Sequence, residues 1–206
     1  PVLDVLIRQI EDGIMAGPRI TRSGMIEGKS PFNNNNGILV DSQQAALDAV
    51  RWYAARGYWQ IKLYNSMNPD WAKANAAEAH RLGLRVSGHV PAFSTADAMV
   101  DAGYDELTHI NQIMLGWVLE PGEDTRTLLR LTALKRLPSL DLQSEAVQQT
   151  IRHIAENKIA VEPTTGIHER LMLSRNGRVP DALADVVDHL PISEQRDARR
   201  AWIDSS

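Results

Sequence analysis

Three residues of this 206-residue sequence could do chemistry together: Lys62, His89 and His109. Their spacing repeats. Lys62 lies five residues after Gly57, His89 six after Gly83, and His109 six after Gly103. A neutral imidazole is a common ligand of divalent metals. A lysine between Ile61 and Leu63 sits where an unpartnered ammonium is costly to bury. The plainer reading is that a Lys at a strand end is a solvated rim residue and a lone His there a satisfied core or rim residue. Spacing alone leaves both readings open.

The elements that must position these residues alternate between helix-like and strand-like segments. Val2, Leu3, Leu6, Ile7, Ile10 and Ile14 form a stripe at helical spacing that Gly17-Pro18 stops, and Arg19–Ile26 reads as a short strand. Gly28–Gly37, with four consecutive Asn, reads as a loop. Asp41 with Gln44 three residues on reads as a helix cap, opening a helix that turns Leu47, Val50 and Ala54 inward and ends at Gly57. A unit then recurs. Tyr58–Tyr64 predicts a strand, Asn68-Pro69 a cap, and Ala72, Ala76, Ala79 and Leu82 a helix ending at Gly83. Leu84–His89 predicts the next strand, Ser94 or Thr95 caps a helix ending at Gly103, and Asp105–Ile110 predicts a third. Further on, the pattern predicts helices over Asn111–Leu119, Thr125–Leu137 and Ser144–Asn157, a strand over Ile159–Pro163, and a helical tail over Pro180–Ile203 broken at Pro191.

Helices closed by glycine and leading directly into short strands indicate parallel βα units. Right-handed crossovers then leave an open doubly wound sheet or a closed barrel. Either way Lys62, His89 and His109 fall at one level near the C-terminal strand ends, where such folds place their sites. The pleat puts Tyr64 on the side of Lys62, and Ser87 on that of His89.

At these residues the sequence resembles the amidohydrolase superfamily, in its imidazolonepropionase-like and prolidase-like branch. The resemblance rests on Ile61-Lys62-Leu63-Tyr64, Val86-Ser87-Gly88-His89-Val90 and Leu107-Thr108-His109-Ile110, with Ala102-Gly103-Tyr104-Asp105 leading into the last. Gly17-Pro18-Arg19-Ile20 and Val161-Glu162-Pro163-Thr164 are similar to the family's third and seventh strands. The resemblance implies an α/β fold: a partial TIM (β/α)8 barrel of parallel strands over 1–206, lacking the first two strands and the last. It implies a carbamylated Lys62 bridging two divalent metal ions, zinc by default, with His89 and His109 as imidazole ligands. Tyr64 becomes a wall of the substrate pocket, and His168, after the fifth predicted strand, a substrate contact.

The family's His-x-His pair is not found in this sequence, and nothing after Val161 reads as a strand ending in a basic Asp. The expectation is therefore an internal segment of a binuclear metal-dependent hydrolase of amide or peptide C–N bonds, inactive by itself. Its substrate would be a small molecule or peptide, any targeting signal would lie upstream of Pro1, and the unpaired strand edges would favour self-association. The alternative is a non-catalytic α/β ligand-binding or interaction domain.

Other readings are excluded or weak. A net charge of −4 and pI near 5.9 leave no nucleic-acid footprint, the sequence has no cysteine for thiolate sites, and no apolar run is long enough to span a membrane. Gly24–Ser30 has three residues between its glycines where a phosphate loop needs four, and Pro31 follows. His80, His153 and His189 read as surface residues. Trp52, Trp59, Trp71, Trp117 and Trp202 are too scattered for a stacking platform, although Trp117 with Met114 and Leu115 could form a partner-facing patch.

Overall fold

A computed structural model describes residues 2–201. Among them six strands form one all-parallel sheet: β1 (Ser23–Gly28), β2 (Ile38–Val40), β3 (Gln60–Leu63), β4 (Arg85–Gly88), β5 (Glu106–Thr108) and β6 (Ala160–Glu162), in the order β2-β1-β3-β4-β5-β6. The helices are α1 (Val2–Glu11), α2 (Gln43–Ala54), α3 (Ala72–Arg81), α4 (Ala96–Asp101), α5 (Ile110–Leu115), α6 (Leu129–Thr132), α7 (Glu145–Glu156), α8 (Thr165–Leu173) and α9 (Ile192–Asp197).

From β1 through β3 to β6 the order never reverses, and α2, α3, α4 and α7 pack in succession. The order does reverse once, at β1, as in a doubly wound sheet, but β2 is reached from β1 by a loop with no helix, and the helices that follow pack one against the next. The fold is a partial, unclosed (β/α) barrel.

The core explains why these residues make these elements. Ile26, Ile61, Leu63, Val86 and Leu107 are fully buried. By the pleat and the ladder register they occupy one face of the sheet, against Ala46, Ala49, Val50 and Tyr53 of α2 and Ala72, Ala76 and Ala79 of α3. Each such large side chain contributes about 1.5–3 kcal/mol on burial. Alanines let α3 approach the strands closely. The opposite face of the sheet carries Met25, Lys62, Ser87 and Glu106 in one row, leaving it for polar groups.

Several boundaries differ from expectation. Residues 19–22 are not strand; β1 begins at Ser23, because Arg22 instead spans to Asp4 and to the carbonyls of Arg56 and Gly57. Ser42, not Asp41, caps α2, its hydroxyl accepting from the Ala45 amide at 3.2 Å, and this one-residue shift centres the buried stripe on Ala46, Ala49, Val50 and Tyr53. Asn68 and Thr95 cap as expected. Thr125–Leu137 is not one helix: four residues of α6 pass into a 3-10 stretch, Ala133–Ser139, that includes Pro138. The tail is short turns and α9, and Trp202 and Ile203 lie outside the described residues. Trp117 is no partner-facing patch: it packs against the main core and its Nε1 donates to Thr150 Oγ1, while Leu115 is buried. No helix among the described residues is long and apolar enough to cross a membrane.

Candidate active site

The ladder register fixes the relative heights of the residues singled out above. Lys62 pairs with Ser87, and Ser87 with Glu106. His89 therefore stands two residues nearer the C-terminal mouth than Lys62, and His109 three. The three are not at one level as their spacing from glycines suggested. His109 should also point to the helix face, by pleat parity, but its φ of 67° breaks the alternation. Its ring lies 4.7 Å from that of His89, edge-on at 83°.

Tyr64, on the Lys62 side of β3, stacks on His89 with ring centroids 4.0 Å apart, and the Lys62 ammonium lies 5.9 Å from the Tyr64 ring. Lys62, Tyr64, His89 and His109 thus converge at one mouth. His168 is close enough to His109 to disfavour its charge, but its Nδ1 is held 3.0 Å from the Thr164 carbonyl.

Each imidazole has a partner the sequence did not reveal. Asn65 Nδ2 donates to the Thr125 carbonyl at 2.9 Å, which turns Oδ1 toward His89 Nδ1 at 3.4 Å. An acceptor there places the His89 proton on Nδ1 and leaves the Nε2 lone pair outward. That Nε2 is buried and has no hydrogen-bond partner. Tyr104, fully enclosed, donates to the His89 carbonyl at 3.3 Å. His109 Nδ1 meets Thr164 Oγ1 at 2.8 Å. Partners on the far nitrogen are what orients a metal-ligating histidine.

Electrostatics keep both rings neutral. Burial, then His109 and Lys62, push His89 down to about 2; burial, then Lys62 and His168, push His109 down to about 4. Burial also lowers Lys62, against the pull of Glu162 and Glu106, which favour its charged form. Ser87 donates to Glu106 at 2.6 Å on the same face.

Glu27 was also not singled out from sequence. Its carboxylate is buried and accepts from the amides of Ser66 at 2.7 Å, Gly28 at 3.1 Å and Asn34 at 3.3 Å, stitching the loops after β1 and β3 together. Burial raises its pKa against these three bonds. A lone Glu before Gly28 carries no sequence signal for this role.

The donors fit a metal in part. Two neutral imidazoles, one with an orphaned buried lone pair, and an amine held toward its neutral form suit a divalent ion. Among the described residues no group of three or more His, Cys, Asp or Glu side chains is close enough to hold one unaided.

No protein-family model matches the chain, and no curated protein matches it. Solved structures do. The chain is similar to a bottromycin amidohydrolase at 20% identity and a TM-score of 0.59, covering 98% of this chain and 42% of that one. It is similar to another amidohydrolase at 18% identity and a TM-score of 0.50, covering 95% of this chain and 47% of that one. A Xaa-Pro dipeptidase with methionine bound in its active site matches at 16% identity and a TM-score of 0.47, over 77% of this chain and 50% of that one. The class defined by the sheet is thus the (β/α)-barrel fold. The fold resembles that of the two amidohydrolases, and the chain spans half or less of the length of the three structures.

Proposed function

We propose that the chain contributes Lys62, His89 and His109 to the divalent-metal centre of an amidohydrolase that cleaves amide or peptide C–N bonds in a small-molecule or peptide substrate. The observation that carries this reading is the buried, unpartnered Nε2 of His89 beside the His109 ring. Both imidazoles would be ligands through Nε2, with Asn65 and Thr164 holding their far nitrogens. Burial shifts Lys62 toward its free amine, against Glu162 and Glu106. That amine can add to carbon dioxide: an N–C bond forms, one amine proton leaves, and the product is an anionic carbamate. Two oxygen donors would then replace a half-buried ammonium, and they suit a hard or borderline ion. When bound, a pair of metal ions polarises the scissile carbonyl and activates water; zinc is the default for a His-rich hydrolytic site.

The chain's own residues otherwise orient and enclose. Tyr64 packs on His89 and walls the pocket, with its hydroxyl available to the substrate. In this reading His168, near His109, is a further substrate contact. In this proposal the remaining ligands and the general base come from outside these 206 residues, so the segment alone does not turn over substrate. The free edges of the sheet favour self-association of the isolated segment.

The test is metal analysis with and without Lys62. The protein carrying the complete ligand set is expected to hold near two metal ions per chain and to lose them in Lys62→Met, while the mass of tryptic Lys62 peptides prepared under carbon dioxide trapping reports the carbamate. A fully folded protein that binds no metal with Lys62 intact would instead favour the non-catalytic ligand-binding reading.

A further inference from the structure

Three loops above the candidate site are tied to two consecutive residues. Ser66 Oγ lies 2.9 Å from Ser30 Oγ, which in turn accepts from the Phe32 amide at 3.1 Å. The Asn65 carbonyl accepts from the Ala92 amide at 2.9 Å, and the Asn65 side chain donates to Thr125. At the tips of these loops Phe32, Phe93 and Arg126 meet: the guanidinium lies 5.8 Å from the Phe32 ring and 5.1 Å from the Phe93 ring. Arg126 is already neutralised by a two-point pairing with Asp124, at 2.9 and 2.8 Å. It is therefore a platform for aromatic groups and not a free anion receptor.

Phe93 has a φ of 65° and is 58% exposed. A bulky residue in left-handed backbone at a surface is an outlier of the kind that function retains. It lines a cavity of about 270 Å3 whose wall includes Val90, the residue after His89. Its lining includes Glu120 and Glu123 but no Lys, Arg or His, and Glu123 is fully paired with Arg136 at 2.6 and 2.7 Å. The space is below the roughly 300–1,000 Å3 of whole-ligand pockets and suits one side group.

We propose that this cavity, walled by Val90, Pro91, Phe93, Gln112, Leu115 and Thr125, receives a neutral apolar or aromatic side group of the amide substrate, and rejects an acidic one. The inference rests on the hydrolase reading above for the word substrate. It does not rest on it for binding.

Isothermal titration of the protein with N-acetyl-L-phenylalaninamide, N-acetylglycinamide and N-acetyl-L-aspartic acid amide tests it. The phenylalanine amide is expected to bind at least about tenfold more tightly than the glycine amide, the scale of a buried side group, and the aspartate amide most weakly. Phe93→Gly, whose backbone suits glycine, should fold and reduce the preference to within about twofold; Phe93→Tyr should keep it. Equal affinity for all three amides, or an intact preference in folded Phe93→Gly, overturns the pocket. The wild-type comparison decides even if that variant fails to fold. Selective binding without hydrolysis by metal-loaded protein that carries the complete ligand set keeps the pocket and removes the hydrolase reading. Hydrolysis of all three with equal affinity and equal kcat/KM does the reverse.

Discussion

His109 Nδ1 lies 2.8 Å from the hydroxyl of Thr164, so the imidazole at the end of β5 is oriented by the loop that leaves β6. The same loop is anchored to the β5 end through the backbone, where the His109 amide donates to the Glu162 carbonyl at 2.7 Å. Thr164→Val keeps the side-chain shape and removes only the hydroxyl. It should cost about 0.5–1.5 kcal/mol in urea unfolding. With His109 as the proposed metal ligand, it should also weaken metal binding about 10–100-fold, the usual effect of losing a partner on the far nitrogen. Unchanged 15N shifts of the His109 ring in the variant would show that Thr164 does not orient it.

Acid should destabilise the fold through the site. His89 and His109 are held below the ordinary histidine value of about 6.5, at about 2 and about 4, mainly by burial. In the unfolded chain both take up protons as pH falls below about 6.5 while the folded chain does not, so the unfolded state binds more protons and stability drops with falling pH. The loss runs from about pH 6.5 down through each folded value. It amounts to about 1.4 kcal/mol for each tenfold difference in proton affinity between the unfolded and folded chain at a fully enclosed ring, and to less at half-buried His109. Urea midpoints measured from pH 7 to 4 should fall less steeply in a His89→Gln, His109→Gln double variant. Parallel curves for variant and parent would contradict the assignment.

His153 predicts the opposite sign. It bridges α4 and α7, with Nδ1 3.0 Å from Asp97 and Nε2 3.1 Å from Asp101, and the Asp97 hydrogen bond raises its pKa. Its contribution is therefore complete below the unfolded value of about 6.5 and disappears as pH rises through the folded one. His153→Gln should lower Tm at pH 5.5 and leave it nearly unchanged by about pH 9. A deficit that is the same at both pH values would mean that the pair acts only by packing.

Gly88→Ala should be among the most damaging single substitutions. An added Cβ would stand 2.2 Å from the Leu63 carbonyl oxygen, at a residue whose φ is 156°. β3 and β4 would have to separate where they carry Lys62 and His89. A loss of about 3 kcal/mol or more is expected, in the range of core overpacking and backbone strain combined, read by denaturant unfolding. A variant within about 1 kcal/mol of the parent would mean that the strands can part freely there.

The order of the central βα units was legible because α2, α3 and α4 are each followed by a glycine and then a strand; Gly57-to-Lys62, Gly83-to-His89 and Gly103-to-His109 could be read directly. The height of each residue could not be read so directly. Register depends on ladder pairing between strands, and His109 turns toward His89 through a positive φ that no neighbouring glycine or asparagine signals. Ile38–Val40 was hidden by its length of three residues, at the end of the Asn-rich loop. Asn65 and Thr164 bond across 24 and 55 positions, and contacts of that range leave no local pattern. His153 looked like surface because its carboxylate partners lie on another helix.

The short strand β2 has a consequence for how the sheet can grow. It mates with Ile26, Glu27 and Gly28, so the outer rim of β1 is already occupied nearest the mouth, leaving only its lower half open. The opposite margin, β6, has no neighbour beyond it among the described residues, and all three of its positions are exposed. Among the described residues the sheet thus ends at the outer side of β2 and at β6, and two copies joined along β6 would meet antiparallel about a twofold axis.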